Sequence, residues 1–290
     1  MRYPLWVCSG LLAWLVAGQA MAQSAATADT SGSWALGLAG QVDEDSNDSL
    51  LATINWGVTR STWLSFTVGQ STSPPDQADV QVETFVATVD HRFDTVGFML
   101  GFERWGDPAA LETDDLLGSV YFARARWRLA LGYETRDIEI PFTLTGPFGN
   151  TLQRTAEISG DRYGVDLRLS LAQRWRLFLG AADYDYERNL NVIPRIDRLN
   201  LLSTSTLTLA NSFLDDARSV GVERDFGRKL LTARYTTDHS AIDNSKFETV
   251  DLALLLPIGL RMDLEVNLGN GRSDFGSGMY GGLLLLIYSR

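Results

Sequence analysis

The chain has 290 residues, 36 acidic against 25 basic, a formal net charge of −11 at neutral pH and 45% hydrophobic residues. So acidic a chain is a poor partner for nucleic acid, and its one cysteine, Cys8, excludes disulfides and cysteine-based metal or nucleophile chemistry. Beyond the first 22 residues the longest apolar run is Leu283 to Tyr288, far short of the roughly 20 residues a helix needs to cross a bilayer, which excludes a helical membrane protein.

The first segment, residues 1–22, reads as a signal peptide. Arg2 precedes an apolar run from Leu5 to Ala17, and Ala20 and Ala22 supply small residues two apart for cleavage near Ala22. Cleavage there removes Cys8 and Arg2, so the mature chain has no thiol and its charge becomes −11 − 1 = −12.

From residue 33 onward the hydrophobic period is two, the period of a strand with one apolar and one polar face. A first strand is expected near Ser33 to Val42. Leu50, Ala52, Ile54 and Trp56 then alternate with polar or small residues, turn at Thr59 to Ser61, and continue through Leu64, Phe66 and Val68. Phe85, Ala87 and Val89 turn near Arg92 to Thr95 into Val96, Phe98, Leu100 and Phe102. Val120 and Phe122 turn at Arg124 to Arg126 into Trp127, Leu129, Leu131 and Tyr133. In residues 164–181 Val165, Leu167, Leu169 and Leu171 lead through Ala172 to Arg174 to Trp175, Leu177, Leu179 and Ala181; helical spacing would put Arg168 and Arg176 on or beside the apolar stripe. Val220 and Val222 turn at Phe226 to Lys229 into Leu231, Ala233 and Tyr235. Val250, Leu252 and Leu254 turn at Pro257 to Leu260 into Met262, Leu264, Val266 and Leu268, and a last strand runs near Met279 to Tyr288. The expectation is about fourteen strands.

Between these tight turns lie longer polar connections, near Asp43 to Ser49, Ser71 to Asp79, Gly106 to Asp115, Arg136 to Gly160, Glu187 to Phe213, Asp238 to Lys246 and Asn270 to Ser277. Residues 137–160 read as an extended hairpin turning at Gly146 to Asn150, and Leu201 to Leu209 as a further strand candidate.

Short turns alternating with long loops, on strands apolar on one face only, resemble a Gram-negative outer-membrane β-barrel. By strand number and size the chain is similar to monomeric porins of the outer membrane protein G kind. The resemblance implies an all-β, antiparallel up-and-down transmembrane barrel over 33–290, short turns in the periplasm, long loops outside, and residues 23–32 as a short periplasmic segment. It implies localisation in the cell outer membrane, with outer-membrane lipid, lipopolysaccharide and the barrel-assembly machinery as partners. Such barrels commonly end in an aromatic residue, whereas this chain ends Tyr288-Ser289-Arg290. Trp34, Trp56, Trp127, Trp175 and Phe226 share the apolar face beside the tight turns, the arrangement of an interfacial aromatic girdle.

If the apolar face meets lipid, Glu103, Arg128, Glu134, Asp166, Arg168, Arg176, Glu223, Arg234, Asp251, Asp263 and Glu265 have the parity of lumen-lining residues. They suit a water-filled pore or a wall of mutually paired charges. Inward Gly57, Gly101, Gly132, Gly164, Gly180, Gly221 and Gly269 are expected to leave space. The tight turns are rich in arginine. The long connections carry acids, among them Asp43, Asp45, Asp76, Asp79, Glu112, Asp114 and Asp115, which predicts an electronegative mouth and weak cation preference.

The function expected is passive diffusion of small hydrophilic solutes or ions, without cofactor or metal; the acidic segment 43–49 lacks the glycine and glutamate of a calcium loop. The alternative is a scaffold or export barrel acting with periplasmic or surface partners. A rim hydrolase ranks third. Only His91 and His239 are available, they are expected at opposite ends, and in an extended strand His239 turns away from both Asp238 and Ser240.

Overall fold

The computed structural model describes residues 31–44, 47–72, 81–145, 151–171, 174–187, 213–274 and 276–289. The expected signal peptide, Asp45, Asp76, Asp79 and the strand candidate at Leu201 to Leu209 lie outside the described residues. Fourteen strands follow one another: β1 Trp34–Asp43, β2 Asp48–Gly57, β3 Thr62–Thr72, β4 Gln81–Phe93, β5 Val96–Asp107, β6 Leu111–Arg124, β7 Trp127–Thr145, β8 Thr151–Ser170, β9 Trp175–Tyr186, β10 Leu214–Asp225, β11 Leu230–Ser240, β12 Lys246–Pro257, β13 Met262–Ser273 and β14 Gly276–Tyr288. Each pairs antiparallel with its sequence neighbours, and β1 pairs with β14, so the sheet closes into a barrel. At the seam Trp34 N donates to Ser289 Oγ at 2.7 Å and Ser289 N donates to the Trp34 carbonyl at 2.9 Å.

Register follows from the two faces. Trp34 pairs with Trp56, Leu36 with Ile54 and Leu38 with Ala52, so apolar side chains meet on the outside over the lower part of the ladder. A slip by one residue would exchange the faces and put Arg128, Glu134 and Arg168 outside. Each arginine placed on a lipid face costs about 2–4 kcal/mol at the bilayer midplane and each carboxylate somewhat less, so the alternation pins the register.

Polarity reverses along the strands although parity does not. Over the lower part of β7, beside the tight turns, Trp127, Leu129, Leu131 and Tyr133 point out while Arg128 and Glu134 point in. Further along, Asp137 and Glu139 point out and Ile138 and Ile140 point in, both isoleucines buried. The same exchange occurs on β8, where outward Leu169, Leu167 and Val165 give way to Asp161 and Glu157 while Ile158 is buried inside. On β4 outward Val89 and Phe85 give way to Glu83, with Val82 buried inside. The outward apolar band therefore has an upper edge, above which the strands are those of a water-soluble barrel with an apolar interior. From Trp127 to Thr135 the band on β7 is nine residues, within the roughly 9–11 that a tilted strand needs to cross a bilayer.

This reversal explains where strand boundaries differ from the sequence reading. Gly106 to Asp115 was expected to be a loop, yet only residues 108–110 separate β5 from β6. Asn270 to Ser277 is likewise mostly strand, and the strands reach into Asp43 to Ser49 and Asp238 to Lys246 from both ends. Polar segments look like loops when one face must be apolar outward, but above the lipid band water accepts the outer charges and the hydrogen-bonded ladder simply continues. Residues 137–160 do form an extended hairpin, with β7 ending at Thr145 and β8 beginning at Thr151.

Candidate functional site: the barrel interior

Every charged residue assigned to the lumen by parity points inward. Near the tight turns Arg176 Nε lies 2.5 Å from Glu223 across β9 and β10. Arg234 faces Asp251 as its cross-strand partner, and Asp251 also accepts a hydrogen bond from Tyr280. Asp263 accepts one from Tyr288 at 3.2 Å. Glu265 stands two residues further along β13. Asp166, inward on β8, is exposed, so solvent reaches the lumen at its level. The inward glycines leave less space than expected. Gly269 is covered by the ring of Tyr280 and Gly97 by Tyr121, each tyrosine being the direct cross-strand partner. Gly132, by contrast, has no atom closer than 3.9 Å to where a Cβ would stand.

At mid-height lies an ion-pair network centred on Arg136. Its Nε and Nη2 donate to the two carboxylate oxygens of Asp115, both at 2.9 Å, and Nη2 also donates to Glu134 at 2.7 Å. Arg162 Nη1 donates to the other Glu134 oxygen at 3.2 Å. Both guanidiniums lie against the Tyr184 ring, 5.8 and 5.6 Å from its centroid. Asp115 is fully buried, and a buried carboxylate is retained only when paired this completely. Glu103, on the neighbouring strand, faces the same group. The sequence reading found Glu103 and Glu134 but placed Asp115 and Arg136 in loops and did not single out Arg162 or Tyr184. The available signal was that Asp115, Glu134, Arg136 and Arg162 all keep the inward parity of their strands.

Above this network the interior is apolar. Val82, Ala110, Leu111, Ile138, Ile140, Ile158, Phe213 and Ile242 form one buried cluster, with Trp105 and Tyr186 packed against it. Phe213 and Leu111 are 0% exposed. The Phe213 ring lies 6.1 Å from Trp105 and 6.0 Å from Tyr186 between centroids. Ala241 N donates to the Phe213 carbonyl at 2.9 Å, tying the β11–β12 loop to the segment entering β10. Val82 stands on β4 and Ile242 follows β11, positions on opposite sides of a fourteen-strand ring. The cluster thus crosses the lumen. Three of its four isoleucines, Ile138, Ile140 and Ile158, fall in the stretch 137–160, which the sequence shows as a hairpin without showing which face turns inward.

No family model and no curated protein sequence matches the chain. Solved structures do match. The CymD monoaromatic hydrocarbon channel superposes with a TM-score of 0.53 at 7% identity, covering 90% of this chain and 88% of its own. A loop-deletion mutant of OmpT, an outer membrane protein of Vibrio cholerae, gives 0.49 at 12% identity over 89% of this chain and 98% of that one. A bacterial polysaccharide outer membrane secretin gives 0.48 at 8% identity over 90% and 100%. The fold is the outer-membrane β-barrel. That rests on the first of these likenesses and on the outward apolar band, and at such identities it extends to architecture alone.

On the outside of this barrel Trp34, Trp56, Trp127, Trp175 and Phe226 sit at the tight-turn edge of the band, with the Arg224 guanidinium 4.9 Å from the Trp175 ring and 4.8 Å from Phe226. The upper edge carries its own aromatics, which the sequence reading did not collect: the Tyr133 and Tyr163 rings meet at a tilt, 5.4 Å between centroids. The two histidines are also outside and at opposite ends. His91 Nδ1 is 2.8 Å from Thr62 Oγ1 beside Phe93 and Phe98. His239 Nδ1 is 2.9 Å from Asp216 across β10 and β11, while Asp238 and Ser240 are buried on the inner face. Among the described residues no group of three or more metal-ligating side chains converges.

Proposed function

We propose that this barrel is an outer-membrane channel for passive diffusion of small hydrophilic solutes or ions, shut at its loop end by the apolar cluster. The observation that carries the reading is the inner wall: charges of both signs line it, and Asp166 meets water there. A lumen built only to be filled has no use for a solvated carboxylate. In this reading the tight turns and both termini face the periplasm, residues 1–22 are removed on export, lipid and lipopolysaccharide surround the band, and the assembly machinery inserts the barrel. The separation of His239 from Ser240 favours a channel over a rim hydrolase. The closed loop end is the one feature a scaffold or export barrel would share.

Reconstitution into a planar bilayer separates these readings. The refolded protein should pass small, intermittent, salt-proportional currents. Phe213→Asp, which introduces a charge into the fully buried centre of the cluster, should raise the open fraction severalfold. Silence at every voltage from both proteins, each shown to be folded, would reject the channel.

A further inference from the structure

Basic side chains ring the tight-turn end of the barrel. Arg60, Arg126, Arg174, Arg228 and Arg261 stand in five of its six connections, residues 58–61, 125–126, 171–174, 226–229 and 258–261, and all five are exposed. These connections follow one another around the closed sheet, so the arginines are spread over its circumference. Two more arginines, also exposed, face outward at the ends of strands. Arg124 is the direct cross-strand partner of Trp127, and Arg224 that of Trp175. The sixth connection, 94–95, carries Asp94, whose carbonyl accepts a hydrogen bond from Arg92 Nε at 2.8 Å. The acids on the strands at this end, Asp90, Asp225 and Asp263, have inward parity.

This collar lies immediately beyond Trp34, Trp56, Trp127, Trp175 and Phe226, and interfacial aromatics sit at headgroup level. Arg224 is at that level itself, its guanidinium stacked between the Trp175 and Phe226 rings at 4.9 and 4.8 Å. Stacking engages the face of a guanidinium and leaves its N–H edge to acceptors. The other edge of the apolar band is different. There the outward face carries Glu83, Asp114, Asp137 and Glu139, and its Arg104 is held by Asp114 at 2.6 Å.

We infer that the tight-turn collar binds the phosphates of anionic phospholipid headgroups, in the leaflet that surrounds the aromatic girdle. Guanidinium edges match phosphate oxygens bidentately, and basic residues beside an anionic leaflet are drawn to it over about a Debye length. A lipid fits better than a soluble polyanion because the arginines encircle the barrel at its lipid edge, as an annulus of headgroups does, and two of them are outward neighbours of the girdle tryptophans. With an acidic collar at the opposite edge, the two ends of the barrel are unequal toward headgroup charge. The inference goes beyond the channel reading and holds whether or not the lumen conducts.

Fluorescence quenching of the refolded protein in phosphatidylcholine vesicles tests the collar. Trp34, Trp56, Trp127 and Trp175 report the lipid beside it. The probes are phosphatidylglycerol and phosphatidylcholine, each brominated on the acyl chain near the headgroup. The protein as a whole carries a net charge of −11 and should repel an anionic lipid, so stronger quenching by phosphatidylglycerol is a local effect of the collar. Its relative affinity over phosphatidylcholine should be severalfold at low salt and fade in 1 M salt, where the Debye length is about 3 Å. The quadruple variant Arg124→Gln, Arg126→Gln, Arg174→Gln, Arg228→Gln should lose the preference. The same four positions changed to Lys should keep it, and Arg154→Gln on the projecting β7–β8 hairpin should leave it unchanged. Equal quenching by the two lipids, a preference untouched by 1 M salt, or a preference retained in the folded quadruple Gln variant overturns the inference. So does binding of inositol hexaphosphate at the collar without any preference for phosphatidylglycerol, which would assign the arginines to a soluble partner. The salt series on the wild type decides the matter if the Gln variant does not fold. A silent bilayer with the lipid preference intact rejects the channel alone, whereas a conducting barrel without the preference rejects this collar alone.

Discussion

Gly97, Gly160 and Gly269 face inward, and each is the direct cross-strand partner of a tyrosine on the following strand: Tyr121, Tyr186 and Tyr280. In each case a Cβ on the glycine would run into the ring. Two of the tyrosines pass over their glycine to reach an aspartate on the strand beyond, Tyr121 to Asp90 and Tyr280 to Asp251. The glycine is needed because the ring lies flat on the backbone, not for conformational freedom. Gly269→Ala should therefore displace the Tyr280 ring, break its bond to Asp251, and cost about 1–3 kcal/mol by overpacking. Gly132→Ala, equally inward but with nothing closer than 3.9 Å, should leave stability within about 0.5 kcal/mol. Urea unfolding of the two variants in lipid vesicles checks the contrast, and equal losses would mean the ring does not depend on the glycine. Parity alone made Gly269 legible as an inward residue. What covers it depended on the β13–β14 register, which was hidden because Asn270 to Ser277 read as a loop when the connection is only residues 274–275.

The strand is the scale at which lipid and water compete. β7 carries both solvents on one outer face: Leu131 lies in the apolar band and Asp137 beyond its edge, three pairs of residues further along. The lower half of such a strand was legible, because an outward leucine beside an inward charge has one reading when the period is two. The upper half was not, since "DIEI" at 137–140 has the same period with the solvents exchanged, and alternation by itself does not say which face is wet. Only the closure of the ring settles it, by burying Ile138 and Ile140 in one interior cluster with Phe213 and Val82. The reversal fixes the expected result of two substitutions in this one strand. Leu131→Arg should cost about 2–4 kcal/mol in vesicles, the lipid-face penalty near the midplane. Asp137→Leu should change stability by no more than about 1 kcal/mol, as an exposed strand position that loses its hydrogen bond from Ser159. If both cost the same, the edge of the band is not where the polarity reversal puts it.

At the scale of the whole molecule the charges sort twice, along the axis and around the ring. Axially, arginines gather at the tight turns, as with Arg124, Arg126 and Arg228, while Glu112, Asp114, Asp137 and Glu139 crowd the opposite end. Asp115, counted from the sequence among the mouth acids, is instead consumed internally by Arg136. Around the ring, Arg92, Arg128 and Arg168 share one inner sector with Asp90 and Asp166, Asp251, Asp263 and Glu265 share another with Arg234, and β1 to β3 contribute almost no inward charge. A permeating ion therefore meets an acidic mouth and then a passage lined by two charged sectors. With the chain acidic overall, at a net charge of −11, and acids crowding the mouth, the open channel should prefer cations weakly. Removing positive charge from the first sector with the Arg128→Gln, Arg168→Gln double variant should strengthen that preference. Both effects should fade as salt rises, because the Debye length falls from about 10 Å at 0.1 M to about 3 Å at 1 M, less than the distance from wall to axis of a barrel this size. Reversal potentials of the open Phe213→Asp channel in a potassium chloride gradient, with and without the double substitution, read this directly. Anion preference in the parent, or no change on losing both arginines, would mean that the field along the pore is set by the mouth or the turns and not by the sectors of the wall.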